Sequence, residues 1–188
     1  MAAGLGRLIA IVGGTCTGKD TLAGLFVELE PRFVVHHFST GIKRIASEYF
    51  GMRVKNRKLL QSIGLAMRKI DPNVWTNRVL ANVGDQPWVI IADVRLENEV
   101  KSLLKRNYEL IWLQVPRVIQ LGRLKEKYGH MAQSHIEALG DETERLGMLR
   151  QYCKFECAAT TLKQAREWVE HHLAHHNGIN RVRSQSTR

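Results

Sequence analysis

Short continuous apolar runs alternate along the whole chain with stretches whose apolar residues recur every three or four positions. Arg7–Val12 is a β-type run that breaks at Gly13-Gly14, after which Leu22, Leu25, Phe26 and Leu29 keep helical spacing as far as Pro31. Residues 33–38 read as a second strand. Ser39 or Thr40 can cap a helix carrying Ile42, Ile45, Ala46 and Tyr49, which Gly51 ends. Leu59, Ile63, Met67 and Ile70 share one face of a helix over 56–70. Asp71-Pro72 then supplies a start signal for another over 73–83. The run at 88–92 is almost wholly apolar, as a strand buried on both faces of a parallel sheet must be. A helical stripe of Leu96, Val100, Leu103 and Leu104 follows, then strands at 110–115 and 152–157. Leu162, Ala165, Val169 and Leu173 give the closing helix.

Strands alternating with helices predict an α/β domain of three layers around a five-stranded parallel sheet. Two segments depart from a plain alternation: a long helical insertion at 39–86 and a highly charged helical segment at 117–147. The domain is expected to span 1–177, with a flexible basic tail at 178–188 beginning after Asn177 and carrying Arg181, Arg183 and Arg188.

The chemistry concentrates first at Gly13-Gly14-Thr15-Cys16-Thr17-Gly18-Lys19-Asp20-Thr21, between a strand and a helix. This is the G-x4-G-K core of a P-loop in the context that gives the pattern meaning. Glycines let successive amide N–H groups turn inward to form an anion cradle, and the helix start adds its positive dipole end. Lys19 supplies a mobile charge for the β- and γ-phosphates of ATP. Asp20 stands where a Ser or Thr usually ligates magnesium, and it offers oxygen to Mg2+ directly or through water, while Thr21 can reach the α-phosphate.

Asp93 ends the apolar run at 88–92, in the place of a Walker B carboxylate that holds magnesium. Capping a helix is its competing role. In extended backbone Arg95 lies on the same side as Asp93, and an arginine there can grip a phosphate bidentately. Further cations fall in two clusters. Lys43, Arg44 and Arg68 lie in the insertion, where an acceptor would bind, and Arg117 and Arg123 open the charged segment, which suits a lid. Taken singly, each fits a solvated helix face better than a ligand role; the clusters carry more weight than their members.

The net charge of +10, from 28 basic and 18 acidic residues, suits a pocket that collects polyphosphates and equally suits nucleic acid. No interleaved aromatic patch or nucleic-acid module accompanies it, which disfavours a nucleic-acid partner. Three cysteines do not make a secreted disulfide framework, so a reducing, cytoplasmic setting is expected. No apolar stretch approaches the roughly 20 residues of a membrane span. Cys16 is a candidate redox sensor but more simply a small loop residue, and Cys153 and Cys157 read as packing residues on one strand face. His171, His172, His175 and His176 form two i, i+4 pairs without a third ligand, the pattern of a solvated helix end. The tryptophans read as core or rim, Trp75 being also a candidate to stack on an acceptor's base.

Several segments together resemble the phage-type deoxynucleoside monophosphate kinases. These are Gly18-Lys19-Asp20-Thr21, Phe38-Ser39-Thr40-Gly41-Ile42-Lys43 and Leu59-Leu60-Gln61-Ser62-Ile63-Gly64. Asp71-Pro72-Asn73-Val74-Trp75 and Asp93-Val94-Arg95-Leu96-Glu97-Asn98-Glu99 complete the set, in order and over about residues 7–173. The resemblance implies a P-loop kinase fold with an acceptor-binding insertion and a lid. It also implies ATP and Mg2+ as phosphoryl donor, and a small-molecule deoxynucleotide, a (deoxy)nucleoside monophosphate, as acceptor. Lys43, Arg68 and Arg95 would be acceptor-side groups and Asp93 the magnesium or hydroxyl-side carboxylate; a homodimer is compatible with it. Other small-metabolite P-loop kinases, acting on dephospho-coenzyme A or phosphomevalonate, share the loop and remain alternatives. So does a nucleotide-dependent nucleic-acid-binding protein. A regulatory GTPase would need an Asn-Lys-x-Asp and an Asp-x-x-Gly element, and neither is present.

Overall fold

The structure is a computed structural model that describes residues 6–137 and 146–185. Five strands form one sheet: β1 (Arg7–Val12), β2 (Val34–His36), β3 (Trp88–Val94), β4 (Glu109–Leu113) and β5 (Phe155–Cys157). Every neighbouring pair is parallel and the order is β2-β3-β1-β4-β5. The helices are α1 (Lys19–Leu29), α2 (Ser39–Phe50), α3 (Arg57–Ile70), α4 (Val74–Val83), α5 (Glu97–Leu104), α6 (Arg117–Tyr128), α7 (Ala132–Glu137) and α8 (Leu162–Gln185).

Alternation of side chains across the sheet divides the core in two. Ile9 and Ile11 of β1, with Ile90 and Ala92 of β3, face Leu22 and Phe26 of α1 and Val169 of α8. Ala10, Val12, Val89 and Ile91 face Trp75, Val79 and Leu80 of α4 and Val100 and Leu103 of α5. The two central strands are apolar on both faces because both faces are covered, which places the expected three layers. The β1–β3 register shifts between Ala10 and Val12, so the bulge falls where β1 runs into the glycine loop.

Several boundaries differ from the sequence-based expectation. Only residues 34–36 of the stretch 33–38 pair in the sheet, because β2 is an edge strand bonded to β3 alone; Phe33 and Phe38 instead plug opposite cores. β5 starts at Phe155, since Met148–Tyr152 forms a 3-10 turn, so Cys153 lies outside the strand and does not share a strand face with Cys157. α8 continues through Asn177-Gly178 to Gln185, where a flexible tail from 178 was expected. Residues 138–145 of the expected lid, 186–188 of the expected tail and 1–5 of the expected domain lie outside the described residues.

His172 is buried, contrary to a fully solvated terminal helix. It stacks on Trp168, with ring centroids 4.8 Å apart, and meets Phe26 and Phe155 edge-on. Its Nε2 lies 2.9 Å from Nη2 of Arg7, which donates to Glu109 at 2.8 Å. This triad fastens α8 beneath the first residues of β1 and β4. The loops at the other end of the sheet are left to form the site.

Candidate active site

Residues 13–18 join β1 to α1 at the carboxyl end of the sheet. Their path needs special backbone: Gly18 has φ of 102° and Cys16 a φ of 59°. A Cβ at Gly13 would lie 2.7 Å from the carbonyl oxygen of Leu113, so only glycine passes there. Thr17 Oγ1 donates to the Gly14 carbonyl at 2.9 Å. Lys19 is buried, and its Nζ donates to the carbonyls of Gly13 and Gly14 at 2.7 and 2.5 Å.

α6 clasps the loop from outside. Gln120 Nε2 donates to the Thr15 carbonyl at 2.7 Å, and one turn later Arg123 Nη1 donates to the Thr17 carbonyl at 2.9 Å. Nη2 of Arg123 reaches the Thr160 carbonyl at 2.9 Å, so one guanidinium joins the loop to the β5–α8 connection. Gln120 was not singled out from the sequence; its i, i+3 spacing to Arg123 on a helix is the signal that marks it.

Opposite the loop, Asp93 uses both carboxylate oxygens. Oδ1 accepts the Phe38 N–H at 2.7 Å and Oδ2 the Ser39 N–H at 3.0 Å, at the start of α2. The cap expected from the side chain of Ser39 or Thr40 is absent, and a strand carboxylate takes its place. Asp93 nonetheless borders the same cleft as the loop, as does Arg95, whose Nη1 lies 3.4 Å from Thr15 Oγ1.

The cleft has a volume of about 660 Å3. Of the residues singled out from the sequence, Thr15, Cys16, Gly18, Lys19, Asp20 and Thr21 form its loop wall. Lys43, Arg68, Asp93, Arg95 and Arg123 complete it from α2, α3, the end of β3 and α6. Gly13 and Gly14 shape the loop behind this wall. Thr17 instead lines an adjoining hollow of about 210 Å3 with Thr21, Arg123, Ala159, Thr161 and Leu162.

Two expected site residues stand elsewhere. Arg44 is exposed and paired with Glu48 one turn along α2, Nε to Oε1 at 2.7 Å. Trp75 is buried beneath α3, its indole N–H donating to the Gly64 carbonyl at 3.3 Å, so it cannot stack on a base in the cleft. Arg117, at the start of α6, is likewise not part of the wall.

Residues that the sequence did not single out fill the remaining places. Lys55, from the α2–α3 connection, and Lys127 and Tyr128, from the end of α6, line the cleft. Burial lowers the pKa of Lys55, and the like charges of Lys127, Lys43, Arg57 and Arg95 lower it further. Cations from five parts of the chain therefore converge on one space, an arrangement that an anion would relieve.

Glu99 also borders the cleft, although it is only 3% exposed. Burial pushes its carboxyl up to about 7, assisted by the charge of Asp93 and opposed by the N–H groups of Arg95 and Leu96 and by Arg68. The folded protein thus holds this proton more tightly than the unfolded chain. The resulting stabilisation is complete below pH 4.5 and is lost as pH rises through about 7. Urea unfolding is expected to show a loss on the order of 3 kcal/mol from this group across that interval. Glu99→Gln should flatten that part of the profile, and an unchanged profile in the variant would contradict the assignment.

The carboxylates in the cleft suit a magnesium ion bound with phosphate. Asp20 is 83% exposed at the start of α1, and Asp93 lines the same cleft. Among the described residues, no three acidic, histidine or cysteine side chains could hold a metal alone. Magnesium commonly takes one or two carboxylates and completes its shell with phosphate oxygens and water, so this donor set fits.

Solved structures share this architecture. Shikimate kinase from Bacteroides thetaiotaomicron superposes with a TM-score of 0.65 at 12% identity, covering 89% of this chain and 98% of the other. TT1252 from Thermus thermophilus gives 0.63 at 16% identity, with coverage of 90% and 97%. Shikimate kinase from Acinetobacter baumannii, in complex with shikimate, gives 0.56 at 15% identity, with coverage of 98% and 97%. The fold is therefore the α/β fold of the small P-loop kinases. No family model matches the chain. Two uncharacterized proteins of Ictalurid herpesvirus 1 (strain Auburn), ORF77 and ORF76, are 25% identical over 122 residues and 26% identical over 130. These matches cover 61% and 63% of this chain and 53% and 52% of the viral proteins, so the chain spans about half the length of the curated relatives it matches. No helix among the described residues is long and apolar enough to cross a membrane.

Proposed function

We propose that the protein is a kinase that transfers the γ-phosphoryl group of ATP to a (deoxy)nucleoside monophosphate, giving ADP and a nucleoside diphosphate. The observation that carries this reading is the convergence of Lys43, Lys55, Arg68, Arg95 and Lys127 on the cleft that the phosphate loop opens into. An acceptor without a phosphate would leave the mutual repulsion of these cations largely in place, whereas an acceptor bearing its own phosphate neutralises them. By name, the neighbours in fold include shikimate kinases and a gluconokinase from Sinorhizobium meliloti (TM-score 0.52, 10% identity), which supports phosphoryl transfer to a small metabolite in general.

In this scheme the loop 13–21 cradles the donor's phosphates, and Lys19 leaves the carbonyls of Gly13 and Gly14 for the β- and γ-oxygens. The hollow beside the loop receives the donor's base between the Arg123 guanidinium and the connection at Ala159–Thr161. Asp20 and Asp93 would hold magnesium, directly or through water; the ion supplies charge neutralisation at the β- and γ-phosphates. Arg68 and Arg95 grip the acceptor phosphate, and Lys43 orients it. One acceptor oxygen attacks the γ-phosphorus in line as the bond to the β-phosphate oxygen breaks. The chain's part is positioning and charge stabilisation, with no covalent intermediate on the protein. Residues 39–86 act as the acceptor-binding insertion and 117–147 as the lid that limits futile hydrolysis.

An ADP-release assay over ribo- and deoxynucleoside monophosphates, dephospho-coenzyme A, phosphomevalonate, shikimate and gluconate tests the reading. Turnover confined to nucleoside monophosphates is expected. Preference for shikimate or gluconate, which carry a carboxylate and no phosphate, or salt-sensitive DNA binding without any phosphorylation, would overturn it.

A further inference from the structure

Glu99 combines three features that a simple helix-start residue does not need together. It is almost wholly buried, it borders the cleft, and one oxygen, Oε2, accepts both the Arg95 N–H at 2.9 Å and the Leu96 N–H at 3.0 Å. A glutamate that only closes the first turn of a helix commonly sits at the surface, where its charge costs little. Here a carboxyl group is kept where ionising it is costly, with Asp93 of β3 opposing its charge and Arg68 of α3 favouring it.

The two amides it binds flank the side chain of Arg95, just where the chain leaves β3 and turns toward α5. From that turn the Arg95 guanidinium extends across to Thr15 of the phosphate loop. We propose that Glu99 is the positioning residue for Arg95: by clamping the main chain at residues 95 and 96, it fixes where the guanidinium meets the acceptor's phosphate. The inference rests on the kinase reading for the identity of that anion. The distance and direction from Arg95 to the loop are set by the main-chain turn, so loosening the turn disturbs a two-point grip on phosphate far more than a single point charge.

The test uses the full chain as wild type, Glu99→Ala, Glu99→Gln, Arg95→Ala and the Glu99→Ala/Arg95→Ala double variant. Glutamine keeps an acceptor oxygen for the two N–H groups, and alanine does not. Glu99→Ala is expected to raise the KM for the nucleoside monophosphate about tenfold or more, while the KM for ATP stays within about twofold. Glu99→Gln should recover most of the loss. In the double variant, removing Glu99 should add little to the loss from Arg95→Ala, because the clamp acts through that side chain. An unchanged acceptor KM in Glu99→Ala, or fully additive losses, would overturn the proposal. If Glu99→Ala does not fold, Glu99→Asp, which keeps the carboxyl group and shortens the reach, is read by the same criteria. Should the wild type phosphorylate no acceptor, the kinase reading fails by itself. Calorimetry with pyrophosphate then decides on Glu99: weaker binding in the alanine variant and recovery in the glutamine variant support the clamp, and equal binding in all three removes it.

Discussion

Lys19→Ala is expected to lower turnover by about a hundredfold to a thousandfold, the range seen when one pre-set donor to a developing charge is removed. The side chain is 8% exposed, and its ammonium group is already inside the cradle, on the carbonyls of Gly13 and Gly14. Donor phosphates entering the cradle are expected to take this ammonium group over from the two carbonyls. The fold should persist, because two lost neutral-acceptor bonds cost on the order of 1–2 kcal/mol each and the helix keeps its other anchors. Steady-state kinetics together with a thermal melt separate the two effects. Full turnover from a folded variant would contradict the role given to the loop.

Asp93→Ala should damage stability and activity together. It leaves the N–H groups of Phe38 and Ser39 without their carboxylate at the start of α2, which costs about 1–3 kcal/mol. α2 also carries Lys43 into the cleft, so a loosened first turn reaches that wall of the cleft as well. Asp93→Asn retains one oxygen acceptor and should keep most of the stability. It should still lose about a hundredfold in turnover, because the negative charge that would help hold magnesium is gone. Denaturant melts beside magnesium-dependent kinetics distinguish the variants. An asparagine variant with wild-type turnover would reduce Asp93 to a helix cap.

Glycine spacing and the alternation of apolar runs with helical stripes were enough to read the sheet, its flanking helices and the phosphate loop, because those signals are local. Asp93 shows where locality ends. Its strand position was legible, but its partners lie 55 and 54 residues upstream, and no periodicity reports a bond across such a gap. Arg44 and Lys43 are adjacent and chemically alike. Only the rotation of α2, set by packing of Ile42 and Ala46, sends one to the cleft and the other to Glu48. Trp75 followed the same rule in reverse: an aromatic in the acceptor region proved to be the packing link between α4 and α3. Lys55 and Lys127 have ordinary sequence surroundings, and their meaning comes from lining one cleft once the chain has folded.

The central claim is that one cleft holds donor and acceptor phosphates end to end, from the loop at 13–21 to Arg68 and Arg95. Calorimetric titration with a two-headed ligand, adenosine joined through five phosphates to a deoxynucleoside, measures this directly in the presence of magnesium. Binding at least about a hundredfold tighter than ATP alone is expected, since the second head binds without a second association cost. An affinity equal to or below that of ATP would contradict it.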